Sequence, residues 1–105
     1  MTSLSKTRTS FYRRLYLAHL VASGIDSVPA ITAATGMPRR TAQDTLAALE
    51  ELDIRCRFEH QPGKPHNIGH YRIEDWGPID PDWLSRHAER LGQLLGYPSP
   101  DNAHA

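Results

Sequence analysis

The chain carries one cysteine, Cys56, in 105 residues, which excludes an internal disulfide framework and suits a reducing cytosol. A cytoplasmic location is therefore expected. No apolar run of membrane length occurs: the stretch from Leu15 to Ala22 is too short to span a bilayer, and His19 interrupts it as a signal peptide core. No membrane partner is expected. Charge of neither sign predominates, with 12 Lys or Arg against 12 Asp or Glu, so the chain as a whole is not an overt polyanion binder. Glycine-rich phosphate loops are missing too, because GKPH at residues 63–66 lacks the spacing and the following helix of a nucleotide-binding loop. Repeats and low-complexity tracts are likewise absent. With 39% hydrophobic residues there is material for one modest core, and a second subunit is one way for so small a domain to gain stability.

What is present is unevenly distributed. Up to Arg40 there are six basic residues (Lys6, Arg8, Arg13, Arg14, Arg39, Arg40) against the single acid Asp26. Beyond it the acids dominate. A local field decides where a polyanion sits, so a basic front on a neutral molecule is compatible with DNA binding.

The segment VPAITAATGMPRRTAQDTLAALEEL, residues 28–52, organises the rest. Pro29 fits the first turn of a helix, Gly36 supplies a left-handed stop, and Pro38 permits a second helix that runs on to Leu52. This is the pattern of a helix-turn-helix. The buried side of the second helix is expected to be Ala42, Leu46, Leu49 and Leu52; Arg40, Gln43, Asp44 and Ala47 share the opposite side. A DNA major groove accepts such a helix.

Before it, a helix capped by Ser10 is predicted over Phe11 to Ala22, with His19 as a packed histidine and a short strand at Ile25 to Val28. After it, Ile54, Cys56 and Phe58 alternate with charged residues, as do Gly69, Tyr71 and Ile73, on either side of the turn QPGKPHN at residues 61–67. That is a hairpin, the wing of a winged helix, with Lys64 and His66 at its tip. Asp80 then caps a last helix that starts at Pro81, with Ile79 and Leu84 as its staple, and Gly96 and Pro98 end it. Its stripe of Leu84, His87, Ala88, Leu91, Leu94 and Leu95 is wide enough to demand a partner, either the domain's own core or a second subunit, and a twofold homodimer interface is expected there.

TAATGMPRRTAQDTLAALEEL resembles the helix-turn-helix of bacterial winged-helix regulators. With YRIEDWGPI, the leucine-bearing helix and LGYP, the chain is similar to a family of short, uncharacterised bacterial winged helix-turn-helix proteins over residues 10–98. The resemblance implies a mainly α fold with a small β-hairpin, a three-helix winged core and a C-terminal helix, and, for most relatives of the broader fold, binding of double-stranded DNA as a homodimer. The organisation expected is a flexible segment 1–9, a winged domain 10–79, a dimerisation helix 80–97 and a disordered tail 98–105. Thr32 stands where alanine is commoner in this pattern, and Ala42 where a larger aliphatic is.

Other chemistry finds weak support. Cys56, His60, His66 and His70 are potential zinc ligands, but strand alternation sends them to different faces, so no metal and no cofactor is expected. Cys56 has neither an oxyanion hole nor an activating neighbour, and the chain is not expected to be an enzyme. The leading expectation is a sequence-specific DNA-binding regulator. In it Arg40 and Gln43 read base edges, Arg39, Thr41 and Lys64 hold phosphates, His66 follows the wing towards the minor groove, and Asp44 orients Arg40. No small-molecule ligand is evident. The alternative is a protein-interaction or assembly module on the same fold, supported by the neutral charge and by Asp44, Glu50, Glu51 and Asp53. The two diverge in the field around Arg39, Arg40 and Lys64: acids such as Glu50, Glu51 or Glu59 paired with those cations would weaken the DNA reading.

Overall fold

A computed structural model describes residues 4–65 and 68–98. The expectations for His66, for residues 1–3 and for most of the tail (99–105) lie outside the described residues. Four helices and one hairpin follow in the order α1 (Lys6–Ala22), α2 (Val28–Thr35), α3 (Arg39–Ala47), β1 (Arg55–His60), β2 (Gly69–Asp75) and α4 (Pro81–Leu95). This is a mainly α fold with a small β-hairpin, the winged-helix arrangement with a C-terminal helix.

The first helix starts earlier than its apolar run suggests. Ser5, not Ser10, is its N-cap, with its hydroxyl accepting from the Arg8 N–H at 3.1 Å, so residues 6–9 are helical rather than a loose segment. Leu15, Tyr16, Leu17, Ala18, Leu20 and Val21 are buried, and this helix is the axis of the core. No strand forms at Ile25 to Val28. Asp26 instead offers one carbonyl to the Tyr71 N–H at 2.7 Å, which ties the approach to α2 onto the outer edge of β2.

Ser27 caps α2, and Gly36 ends it at φ 80°, a left-handed conformation that glycine adopts without steric penalty. The expected helix from Pro38 to Leu52 is only partly α: α3 ends at Ala47 and a 3₁₀ turn follows over Ala48–Leu52. Asp53 closes that turn at φ 59°, with its N–H bonded to the Glu50 carbonyl, and the tighter coil swings the chain into β1. Ala42 and Leu49 are fully buried. Thr45 joins them at 8% exposure, where its hydroxyl bonds the Thr41 carbonyl.

The two strands pair antiparallel, with Cys56 opposite Ile73 and Phe58 opposite Tyr71, so the predicted inward sets share one face. In α4 the Asp80 side chain accepts from the Asp82 N–H and Gly96 takes the left-handed stop, as the sequence predicts. Its apolar stripe, however, finds its partner inside the chain. Leu84 is 0% and Leu91 3% exposed, Ala88 is buried, and Gly92 lies so close to the Tyr16 ring of α1 that a Cβ there would stand about 3.0 Å from the phenol oxygen. Tyr97 completes the seam by stacking near Tyr16 and accepting from Arg13 Nε at 3.3 Å.

Candidate nucleic-acid interface

The helix-turn-helix presents α3 outward because its apolar residues fall on one side. Arg39, Arg40, Gln43, Asp44 and Ala47 are all exposed, as the helical spacing predicts. Thr41 is different. It is half-buried and lines a cleft against α1 with Ser10, Arg13, Arg14 and Asp44. The N-cap of α3 is Pro38, which offers no side-chain hydrogen bond to the first-turn N–H groups.

Asp44 lies one turn beyond Arg40, and the two form an ion pair at 3.6 Å on the exposed face. Among the described residues, acids from elsewhere do not pair with the other two cations. Glu59 pairs with Arg72 at 2.9 Å, Glu51 with Arg14 at 3.9 Å, and Glu74 with both Arg57 and Arg72, while among the described residues Arg39 and Lys64 take part in no ion pair. Arg13 and Arg14 are thus committed to Tyr97 and Glu51 within the chain.

The wing holds its tip through its own backbone. The Gln61 N–H bonds the Ile68 carbonyl, the Lys64 N–H bonds that of Gln61, and His60 Nε2 lies 2.7 Å from the Lys64 carbonyl and 3.0 Å from that of Pro65. Lys64 is exposed on this tip. Helix and wing meet in a groove of about 450 Å³, whose lining includes Arg39 and Gln43 from α3 and Phe58, Ile68, Gly69 and Tyr71 from the hairpin. The sequence reading missed this groove, since it took Phe58 as an inward strand residue and assigned Ile68 no role; the available signal was two large apolar side chains bordering a polar turn.

Of the four potential zinc ligands, His66 lies outside the described residues, and Cys56, His60 and His70 do not form a metal-holding group. Among the described residues no group of three His, Cys, Asp or Glu is placed to hold a metal ion. Cys56 is half-buried beside Tyr71, and burial pushes its thiol up to about 11, so it carries no thiolate near neutrality. The same burial raises the Tyr71 phenol. Among the described residues no helix is long and apolar enough to cross a membrane.

The model of the winged helix-turn-helix family matches residues 6–95. The chain belongs to the winged helix-turn-helix family. A DUF2131 family protein from Shewanella amazonensis SB2B is 41% identical, with a TM-score of 0.82 over 90% of this chain and 91% of that one. No protein of curated function matches. Winged helix-turn-helix domains are in general DNA-binding and typically not enzymes.

The expected dimer seam has to be redrawn. Leu84, Ala88 and Leu91 are buried within the chain itself, where α4 packs on α1. His87 and Leu95 are half-buried, and Leu94 is 44% exposed. What α4 leaves outward is a row of Trp83, His87 and Leu94, with the indole and imidazole rings stacked at 4.3 Å.

Proposed function

We propose that this winged helix-turn-helix protein binds double-stranded DNA sequence-specifically and acts as a transcriptional regulator, with α3 in the major groove and the wing beside it. The observation that carries this reading is the outward face of α3: Arg40 is held by Asp44, while Arg39 and the wing's Lys64 have no acidic partner among the described residues. Gln43 and Arg40 then reach base edges, Arg40 with its two terminal nitrogens oriented by Asp44 for a guanine. Arg39, Lys64 and the first-turn N–H groups of α3 hold phosphates, and the half-exposed Thr41 adds its hydroxyl from the side facing α1.

A homodimer belongs to the same proposal, with its seam on the exposed row Trp83, His87 and Leu94 instead of the buried stripe. Two copies would place two α3 helices on successive turns of one DNA face. The decisive experiment is a titration of random-sequence duplex DNA at several salt concentrations. Phosphate contacts predict a steep linear loss of log affinity with log salt, and an affinity independent of salt, or none, defeats the reading. Cytoplasmic location is proposed with it, since the DNA is there.

A further inference from the structure

The floor of the groove between α3 and the wing is the wrong surface for a stacked duplex. It is made by Phe58 and Ile68, 38% and 41% exposed, with Tyr71, Val28 and Pro29 around them. Such apolar side chains offer nothing to a phosphate, and the base faces of a duplex are covered by their neighbours. The floor is nonetheless held in place. Phe58 meets Tyr71 edge-on at 5.0 Å between ring centroids, and Gly69 leaves room for it, because a Cβ there would overlap the Glu59 carbonyl and press on the tip of the Phe58 ring. The rim is the reverse in character: Arg39 and Gln43 stand over it, and no acid is among the lining residues.

An apolar aromatic floor under a cationic, hydrogen-bonding rim matches one unit of a nucleic acid strand, an unstacked base with its phosphate attached. We propose that this groove binds an unpaired nucleotide of DNA, the base lying against Phe58 and Ile68, its edge within reach of Gln43, and its phosphate on Arg39. This inference rests on the DNA-binding reading and refines it: the preferred target is duplex with an adjoining unpaired or extruded base, such as a junction, a bulge or a melted segment. Aromatic stacking of this kind tolerates every base, because every base has a π-face. On such a target Arg39 and Gln43 turn from the duplex to the unpaired nucleotide, and Arg40 on α3 still reads duplex sequence.

The test compares three labelled DNAs by fluorescence anisotropy at one salt concentration: a plain duplex, the same duplex with a short thymidine overhang, and the same overhang lacking its bases. The expected result is that the overhang tightens binding about tenfold and the abasic overhang does not, that being the size of one base–aromatic stack. Phe58→Ala should abolish the gain while leaving plain duplex affinity in place, and Phe58→Tyr should keep it. Because Phe58 is partly exposed, both variants are checked for unchanged circular dichroism. Equal affinity for all three DNAs, or a gain that survives both Phe58→Ala and loss of the bases, overturns the groove proposal and leaves duplex binding standing. Failure to bind any of the three overturns both. Chemical shifts of Phe58, Ile68 and Tyr71 that move with an acidic apolar peptide and not with the overhang would assign the groove to a protein partner and also overturn it.

Discussion

Helices α3 and α4 are both amphipathic, both open at a proline, and both carry arginines, yet the fold uses them in opposite ways. In α4 the apolar stripe is the informative part: Leu84, Ala88 and Leu91 go under α1, with Gly92 against Tyr16, and the helix closes the core. In α3 the polar side is the informative part, since Ala42, Thr45 and Leu46 merely anchor it while Arg39, Arg40, Gln43 and Asp44 face solvent with few tethers. A wide apolar stripe therefore does not announce a second subunit. It announces a need for cover, and a long first helix beginning at Lys6 supplies it here.

The largest effect that separates the two helices is one of stability. Leu84→Ala or Leu91→Ala should cost about 2 to 5 kcal/mol in denaturant unfolding, as buried leucines do, and leave the dissociation constant of the proposed homodimer unchanged. A weakened dimer would return this stripe to a subunit interface. On α3 the corresponding truncation should leave stability alone and act on DNA. Arg40→Ala is expected to cost roughly 1 to 3 kcal/mol on a specific site and to relax discrimination at one base pair, whereas Lys64→Ala should weaken all sequences alike and lower the salt slope by about one. If both changes affect specific and random duplexes equally, α3 reads no base at Arg40.

Smaller effects sharpen the contrast further. Thr32 in α2 buries its hydroxyl without a hydrogen-bond partner, so Thr32→Ala should hold stability constant or raise it by up to about 1 kcal/mol, measurable as a shift in urea midpoint. Asp44→Ala should strengthen binding to random duplex by removing a negative charge and narrow the gap between specific and random sites, with under about 1 kcal/mol at stake in the exposed pair itself. Unchanged curves for both DNAs would take Asp44 away from the DNA and favour a protein-interaction face.

The smallest expected effect concerns pH and lies at the half-buried His19 of α1. Burial on α1 holds the pKa of His19 below its ordinary value. The unfolded chain therefore takes up a proton near pH 6.5 while the folded chain still resists it. His19 costs nothing above that pH, and stability should fall as pH drops below about 6.5, levelling out once the folded form is protonated as well. Urea midpoints between pH 7.5 and 5.5 test this, with His19→Gln expected to flatten the slope.

Much of this architecture can be read residue by residue. Gly36, Pro38, Asp80, Pro81 and Gly96 mark helix ends because their backbone preferences act locally, and the alternation around residues 61–67 marks a hairpin for the same reason. The outward placement of Arg40, Gln43 and Asp44 follows from helical period alone. The Arg40–Asp44 pair could be anticipated at i, i+4 spacing because it needs no other element. Where the reading missed, the deciding partner was distant in sequence or the local signal was a competition. Ser5 and Ser10 are both competent caps, and the polar turn between them continues the helix. The 3₁₀ turn that follows α3 leads into Ile54, which is drawn into the core at 1% exposure before β1.

By itself, then, the sequence determined the elements, their inward faces and the chemistry carried on α3, since each of these depends on torsional preference and periodicity over a few residues. The tertiary structure alone decided that α1 covers the stripe of α4, that Glu51 and Glu59 are spent on Arg14 and Arg72 rather than on Arg39 or Lys64, and that Phe58 and Ile68 meet Arg39 and Gln43 across one groove. Those outcomes depend on which surfaces are brought together by packing, and packing is a competition among distant segments for the same limited apolar surface, which no local pattern records.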